Sequence, residues 1–445
     1  DGIGEALEKK VEEFLKTGEI AYLNTLKENY PETLLDLLRV EGLGIKSVKA
    51  LYDSLGICSL NTLRQACETG QVAALSGFTA NSERKFLNSL NFLEKHQGYF
   101  RLNSAWQMAS LFRTHLLEHS PVVDVEIAGS LRRFNKLVKN INLVAASTNA
   151  PEVMNCFFEC PETVKVSTRG KTRSTVVSKG GIHVDLCVVS PQRFPYAYLF
   201  LTGNKSHLAL LHKHAASKGL DLKDNGLFAR EDNAPLMCKN EAEIYGALNL
   251  PYIEAELREG LYEFQTAATT TLVKQQDIQG LVHCHSTWSD GVNSITEMAN
   301  AAQQLGYQYI VITDHSQSSV HVNGLIPDRV EQQHAEINEI NDLELSGFRI
   351  VKGIEADIRN DGSLDYEEDV LRIFEFIIAS VHSNFDMTEA EATRRIIRAI
   401  ENPFTSAIGH LTGRLLLTRR GYSVNIDKVV DAAVANGVAF EINAN

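Results

Sequence analysis

The chain has 445 residues, of which 44% are hydrophobic and 22% charged, and a formal net charge of −13. That length exceeds what one core usually holds and predicts two or three domains. The lack of any apolar run near 18 residues excludes a membrane-spanning helix. Residues 1–98 carry 11 basic and 14 acidic groups, residues 99–270 carry 19 and 17, and residues 271–445 carry 13 and 25, so the excess acidity lies at the C-terminal end. Such a surface is solvated or surrounds bound cations, and it excludes broad coating of nucleic acid. Any DNA contact must be local, through backbone amides and a few basic side chains. Seven cysteines without a C-x-x-C read as reduced thiols, and no signal-peptide pattern opens the chain, so a cytoplasmic protein is expected.

Residues 1–96 read as all-helical, with apolar residues at helical spacing broken by glycine. GIGEALEKKVEEFLKTG (2–18) and VEGLGIKSVKALYDSLGI (40–57) each run from a Gly-rich turn straight into an amphipathic helix. A dinucleotide-binding turn needs a strand before it, and LLDLLRVE reads as helix. The alternative is a helix-hairpin-helix, in which Gly42 and Gly44 present backbone N–H groups to a DNA phosphate and Lys46 adds charge. From 97 to 262 strands and helices mix. VEIAGSL, INLVAAS, TRSTVVS and IHVDLCVVS read as strands, SAWQMASLFRTHLLEHS and NKSHLALLHKHAASKG as helices. Asn140 and Asn142 share one face of the INLVAAS strand, where two carboxylates would make a metal site. Residues 263–278 lack large apolar residues and read as a linker.

From 279 onward six strand-like runs alternate with helices, which predicts a parallel sheet, open or closed into a barrel. The first five end in metal ligands. LVHCHS carries His283 and His285 on one face with Asp290 in the following loop; the others supply His315, Glu355, His382 and His410. In α/β barrels the carboxyl ends of the strands build the site, so ligands far apart in sequence converge. A histidine-rich set with carboxylates suits Zn2+, Mn2+ or Fe2+ better than Mg2+, and seven ligands exceed the need of one ion. Clustered ions of this kind suit phosphoester hydrolysis. Asp314 is expected to orient His315, and Asp357 to sit behind the ligands or in solvent.

The runs HCHSTWSDG, ITDHS, GIEADI, ASVHS and GHLTGR resemble the polymerase-and-histidinol-phosphatase (PHP) domain, a distorted seven-stranded β/α barrel with a trinuclear metal centre. The order of segments resembles the bacterial family X DNA polymerases: helix-hairpin-helices (1–96), a polymerase-beta-like α+β palm (97–190), a thumb-like region (191–262), then PHP (279–445). The resemblance implies 3′-to-5′ exonuclease or related end trimming on gapped DNA or DNA with 3′ ends. His283, His285 and Glu355 would be central, Arg414 would contact a phosphate, and two to three Mn2+ or Zn2+ ions would be held by the seven ligands. It also implies a final Asp-x-His pair beyond FEINAN, so a piece of a longer protein is expected.

The nucleotide-binding segment of that family matches Gly129, Ser130, Arg132 and Arg133, and its third carboxylate matches Asp185. Asn140 and Asn142 stand where its Asp-x-Asp should be, and Asn204 and Leu208 replace a Ser and an Asn. Nucleotidyl transfer needs two divalent ions, and an asparagine offers a neutral oxygen only. Mg2+ binding and polymerisation are therefore expected to be lost, with Lys136 and Lys139 repelling cations unless exposed and screened, and Arg132 and Arg133 still meeting phosphates. The alternatives are a small-molecule phosphatase of the histidinol-phosphatase type and a non-catalytic DNA-binding module.

Overall fold

The computed structural model describes residues 4–266, 270–343 and 347–443. Two compact units divide near residue 270; the first also counts residues 416–418. No helix among the described residues is long and apolar enough to cross a membrane.

The first unit begins with helices. Ser59 and Thr79 start the helices Leu60–Glu68 and Ala80–Lys95 with reciprocal capping boxes. Leu37, Leu51, Leu63, Phe86 and Leu90 form the core beneath them. The second Gly-rich turn precedes the helix Ile45–Leu55: Gly42 has φ +87°, Gly44 is the N-cap, and no side chain caps the helix. Gly2 of the first turn lies outside the described residues.

A two-residue ribbon, β1 (Phe100–Arg101) with β3 (Leu137–Val138), lies beside a five-stranded sheet. That sheet has the order β2 (Asp124–Ala128), β4 (Asn140–Ala146), β7 (His183–Val189), β6 (Arg173–Ser178), β5 (Thr163–Thr168). Only β4 and β7 pair in parallel, with Asn142 level with Asp185. Along β4 the two-residue period sends Ile141, Leu143 and Ala145 into a core with the helices Leu102–His119 and Ala150–Glu159. Val144 packs on the other face with Ala128 and Ala197. Asn140 and Asn142 share the alternation of Val144.

A smaller antiparallel sheet follows, β8 (Leu220–Lys223), β9 (Gly226–Ala229) and β10 (Pro235–Leu236), packed with helices through Tyr196, Leu211, Leu227 and Tyr245. Glu263 belongs to this body. It is 3% exposed, accepts from the Gly260 and Leu261 amides at 2.6 and 2.7 Å, and faces His207 Nδ1 at 3.0 Å. The expected linker from 263 therefore begins with the short helix Glu263–Thr266, because a buried carboxylate satisfied by amides is part of a core.

The second unit is a parallel sheet whose six strands follow sequence order: β11 (Gly280–Cys284), β12 (Tyr309–Ile312), β13 (Arg349–Asp357), β14 (Phe376–Ser380), β15 (Ala407–Ile408) and β16 (Ala439–Phe440). Helices Ile295–Gln304, Pro327–Asp342, Glu389–Ile400 and Ile426–Asn436 lie between strands. The second half of β13 is buried at every residue, as a strand covered on both faces must be. Six strands rather than seven are present among the described residues. The sheet is curled: His283 at the end of β11 touches Glu441, which follows β16, at 2.6 Å.

Candidate metal centre

Glu355, 1% exposed on β13, is the hub of the second unit. Its Oε1 lies 3.0 Å from His283 Nε2, 3.0 Å from His382 Nε2 and 2.9 Å from His410 Nε2. Its Oε2 lies 3.0 Å from His315 Nδ1 and 3.6 Å from His285 Nε2. Asp290 closes the far side, 3.6 Å from His285 Nδ1 and 3.7 Å from His315 Nε2. The ring and carboxylate atoms form three overlapping triads: His283–His285–Glu355, His285–Asp290–His315 and His315–Glu355–His382, each within 4.8 Å.

The side chains converge because parallel strands deliver their C-terminal ends to one edge of the sheet. One local detail departs from the sequence reading. His283 and His285 do not share a face through simple alternation: the register shifts between Leu281 and Cys284, and His283 has φ +64°. The bulge turns the strand so that both rings reach Glu355.

Burial alone would raise the Glu355 carboxyl, but the facing imidazoles outweigh it and hold it far below the usual carboxylate range. Burial likewise opposes protonation of His283 and His382. Carboxylates on both ring nitrogens nevertheless push them up to about 9 and about 10. Burial pushes His285 down. His285 Nδ1 is buried with no hydrogen-bond partner, and His315 Nδ1, though 3.0 Å from Glu355 Oε2, is buried without an aligned hydrogen bond. Five imidazoles around one carboxylate, with orphaned lone pairs between them, fit divalent cations: soft-to-borderline nitrogen donors bridged by an anionic oxygen.

Outer contacts fix this set. His382 Nδ1 meets Asp357 Oδ1 at 2.5 Å, and Ser319 donates to the other Asp357 oxygen at 2.9 Å. Asp314 does not orient His315 as expected. Its oxygens accept from Ser286 N and Oγ at 2.7 and 2.6 Å, Ser289 Oγ at 2.5 Å and Gln333 Nε2 at 2.6 Å. It therefore shapes the loop that presents Asp290, since four donors leave little room for the neighbouring ring. Buried Arg395 donates to the carbonyls of Arg359 and Ser383 at 3.0 Å each, tying together the segments after β13 and β14. Arg414 lies exposed in the turn after His410, and no hydrogen bond or ion pair joins it to the cluster. Sequence reasoning missed Glu441, whose oxygens meet His283 Nδ1 and the His410 amide, both at 2.6 Å. It follows the sixth strand as the other ligands follow the first five, and that position was the available signal.

In the five-stranded sheet Asp185, the one carboxylate among the three positions that the family resemblance matched, is already hydrogen-bonded. Asn140 Nδ2 donates to Asp185 Oδ2 at 2.6 Å, and Thr175 Oγ1 to Asp185 Oδ1 at 2.5 Å. Gly129 has φ +69°, and a Cβ there would lie 2.5 Å from Asn142 Nδ2, so the turn and the amide need a glycine between them. Ser130 is half-buried in the same turn. The arginines do not face solvent for phosphate. Arg132 pairs with Glu241 through both terminal nitrogens at 3.0 and 2.6 Å and stacks on Tyr198 at 3.6 Å. Arg133 donates to Glu259 at 2.6 Å and the Thr202 carbonyl at 2.7 Å. Asn204 donates to the same Glu259 at 2.7 Å. Buried Glu241 and half-buried Glu259 claim these cations, because a largely buried charge left unpaired would be costly. Lys136 and Lys139 are both exposed, so solvent screens the repulsion expected of them.

Residues 197–259 match the DNA polymerase beta thumb family, and residues 282–445 match the PHP domain. Across 447 aligned positions, 100% of this chain and 78% of the relative, it is 36% identical to the DNA polymerase/3′-5′ exonuclease PolX of Bacillus subtilis. The chain belongs to the family X DNA polymerases that carry a PHP domain. The PHP portion of this family X polymerase is also 33% identical over 171 residues to a probable phosphatase of Caldicellulosiruptor bescii, covering 36% of this chain and 63% of that protein. A probable phosphatase of Thermoanaerobacter sp. is 31% identical over 166 residues, covering 36% and 62%. PHP domains depend on metal, and the triads around Glu355 are where this family X polymerase can hold it.

Proposed function

We propose that this family X polymerase is a cytoplasmic, metal-dependent phosphodiesterase that trims DNA 3′ ends in repair, and that its polymerase core engages DNA without adding nucleotides. The observation that carries the reading is the set of three overlapping ligand triads, two of which contain Glu355 and all of which are joined through His285 and His315. Likeness over the whole chain to a polymerase/3′-5′ exonuclease supports the substrate class.

His283, His285, Asp290, His315, Glu355, His382 and His410 would hold two to three Mn2+ or Zn2+ ions. Such ions lower the pKa of water and offset charge on phosphoryl oxygens. The chain's own part is positional. Glu355 spans the triads with both oxygens, Asp290 closes the open side, and Asp357 keeps a proton on His382 Nδ1 so that Nε2 faces inward. The uncapped N-terminus of the helix Ile45–Leu55, with Gly42, Gly44 and exposed Lys46, suits a DNA phosphate. Loss of nucleotidyl transfer is supported by Asn140 and Asn142, which offer only neutral oxygens and leave Asp185, already accepting from Asn140 and Thr175, as the one carboxylate of the three matched positions.

The test is Mn2+-dependent shortening of a 5′-labelled oligonucleotide, compared with His283→Ala and Glu355→Ala. Nucleotide-by-nucleotide shortening that both substitutions abolish is expected. Turnover of small phosphomonoesters with intact DNA would instead favour the phosphatase reading, which the two phosphatase relatives of the PHP portion keep in play.

A further inference from the structure

Glu441 ligates nothing in the triads, and we propose that it is a positioning residue that readies two ligands at once. One oxygen holds the proton on His283 Nδ1 so that Nε2 is free for an ion, and the other fixes the backbone of His410. This role rests on the metal reading above.

The geometry is two-sided. His283 Nε2 faces Glu355 at 3.0 Å, while Nδ1, at the opposite side of the ring, meets Glu441 Oε1 at 2.6 Å. An ionised carboxylate only accepts, so the proton must sit on Nδ1. His382 repeats the arrangement, with Glu355 on Nε2 at 3.0 Å and Asp357 on Nδ1 at 2.5 Å. Glu441 therefore does for His283 what Asp357 does for His382, from a position 158 residues away in sequence.

The second oxygen addresses strain. His283 and His410 have φ of +64° and +20°, in a region that L-residues avoid. Such residues persist only where their surroundings over-determine them. Glu441 Oε2 accepts the His410 amide at 2.6 Å, and the Glu441 amide itself donates to the Ile408 carbonyl at 3.0 Å. Gly409 completes the fit, since a Cβ there would lie 2.3 Å from Ser380 Oγ and 3.4 Å from His283 Cε1. One carboxylate thus links the first strand to the fifth and sixth at the edge where the ligands converge.

The test compares the full chain with Glu441→Ala and Glu441→Gln, using Zn2+ as the probe ion. Circular dichroism and melting first establish that each variant folds. Chelator competition then gives ions per chain and their affinities, and NMR of ring-labelled histidine follows the His283 Nδ1–H resonance. Glu441→Ala is expected to weaken one ion about 10–100-fold while the others hold, and to lose that resonance. Glu441→Gln keeps the resonance through its amide oxygen and so weakens the ion less than alanine does, but weakens it still, because its NH2 cannot accept from the His410 amide. If the alanine variant does not fold, this intermediate pattern in the glutamine variant carries the test. Unchanged affinity and resonance in both variants, or loss of all ions only in proportion to unfolding, overturns the proposal. Should the unaltered chain hold no Zn2+, the metal reading fails. The resonance in the metal-free protein, present with Glu441 and absent with alanine, would still decide the role of Glu441.

Discussion

Loading the metal centre should expel protons, and the structure sets how many. In the metal-free chain His283 and His382 each face a carboxylate on both ring nitrogens, which raises them to about 9 and about 10. At pH 7 both are doubly protonated. An incoming cation needs the Nε2 lone pairs, whereas the Nδ1 protons stay on the rings, donated to Glu441 and Asp357. Each ring therefore gives up one proton, roughly two in all. Because both folded values lie above pH 7, affinity must rise with pH, by about 100-fold per unit or about 2.7 kcal/mol, flattening as pH passes 9. Isothermal titration of Mn2+ into metal-free protein at pH 7, in two buffers of different ionisation enthalpy, counts the protons directly. Release of fewer than one proton, or an affinity that does not change between pH 6 and 8, would refute the reasoning.

Three other outcomes are expected. Arg258→Ala should cost about 3–5 kcal/mol in urea unfolding, because Arg258 is fully buried and donates to both oxygens of Glu241, whose remaining charged partner would be Arg132. His334 is 7% exposed, and burial pushes its pKa down to about 4, so the folded state binds fewer protons than the unfolded state as pH falls. Its contribution is absent above the ordinary value of 6.5 and destabilises the fold by about 2 kcal/mol at pH 5; His334→Leu should lose that part of the pH dependence in denaturant titrations. Asn140→Asp with Asn142→Asp should not restore primer extension, because Arg133 and Asn204 remain committed to Glu259; extension products on a gapped template would show otherwise.

Much of this protein was legible before any coordinates. Alternation of apolar strands with amphipathic helices from residue 279 dictates a parallel sheet, and a parallel sheet gathers whatever its strands carry at their C-terminal ends. The loss of charge at Asn140 and Asn142 is likewise a property of the residues themselves. Other features depend on distances that no local pattern encodes. Arg132 and Arg133 read as phosphate contacts until the fold brought Glu241 and Glu259, more than a hundred residues later, against them. Asp314 sits beside His315 in sequence, yet its rotamer spends both oxygens on Ser286, Ser289 and Gln333. Adjacency along the chain says little about which way a carboxylate points. The sequence by itself determined which donors this chain owns and which edge of the sheet they reach. Only the tertiary structure decided which of them a neighbouring charge had already taken, because the cost of burying an unpaired ion is settled by whatever side chain lies within hydrogen-bond reach.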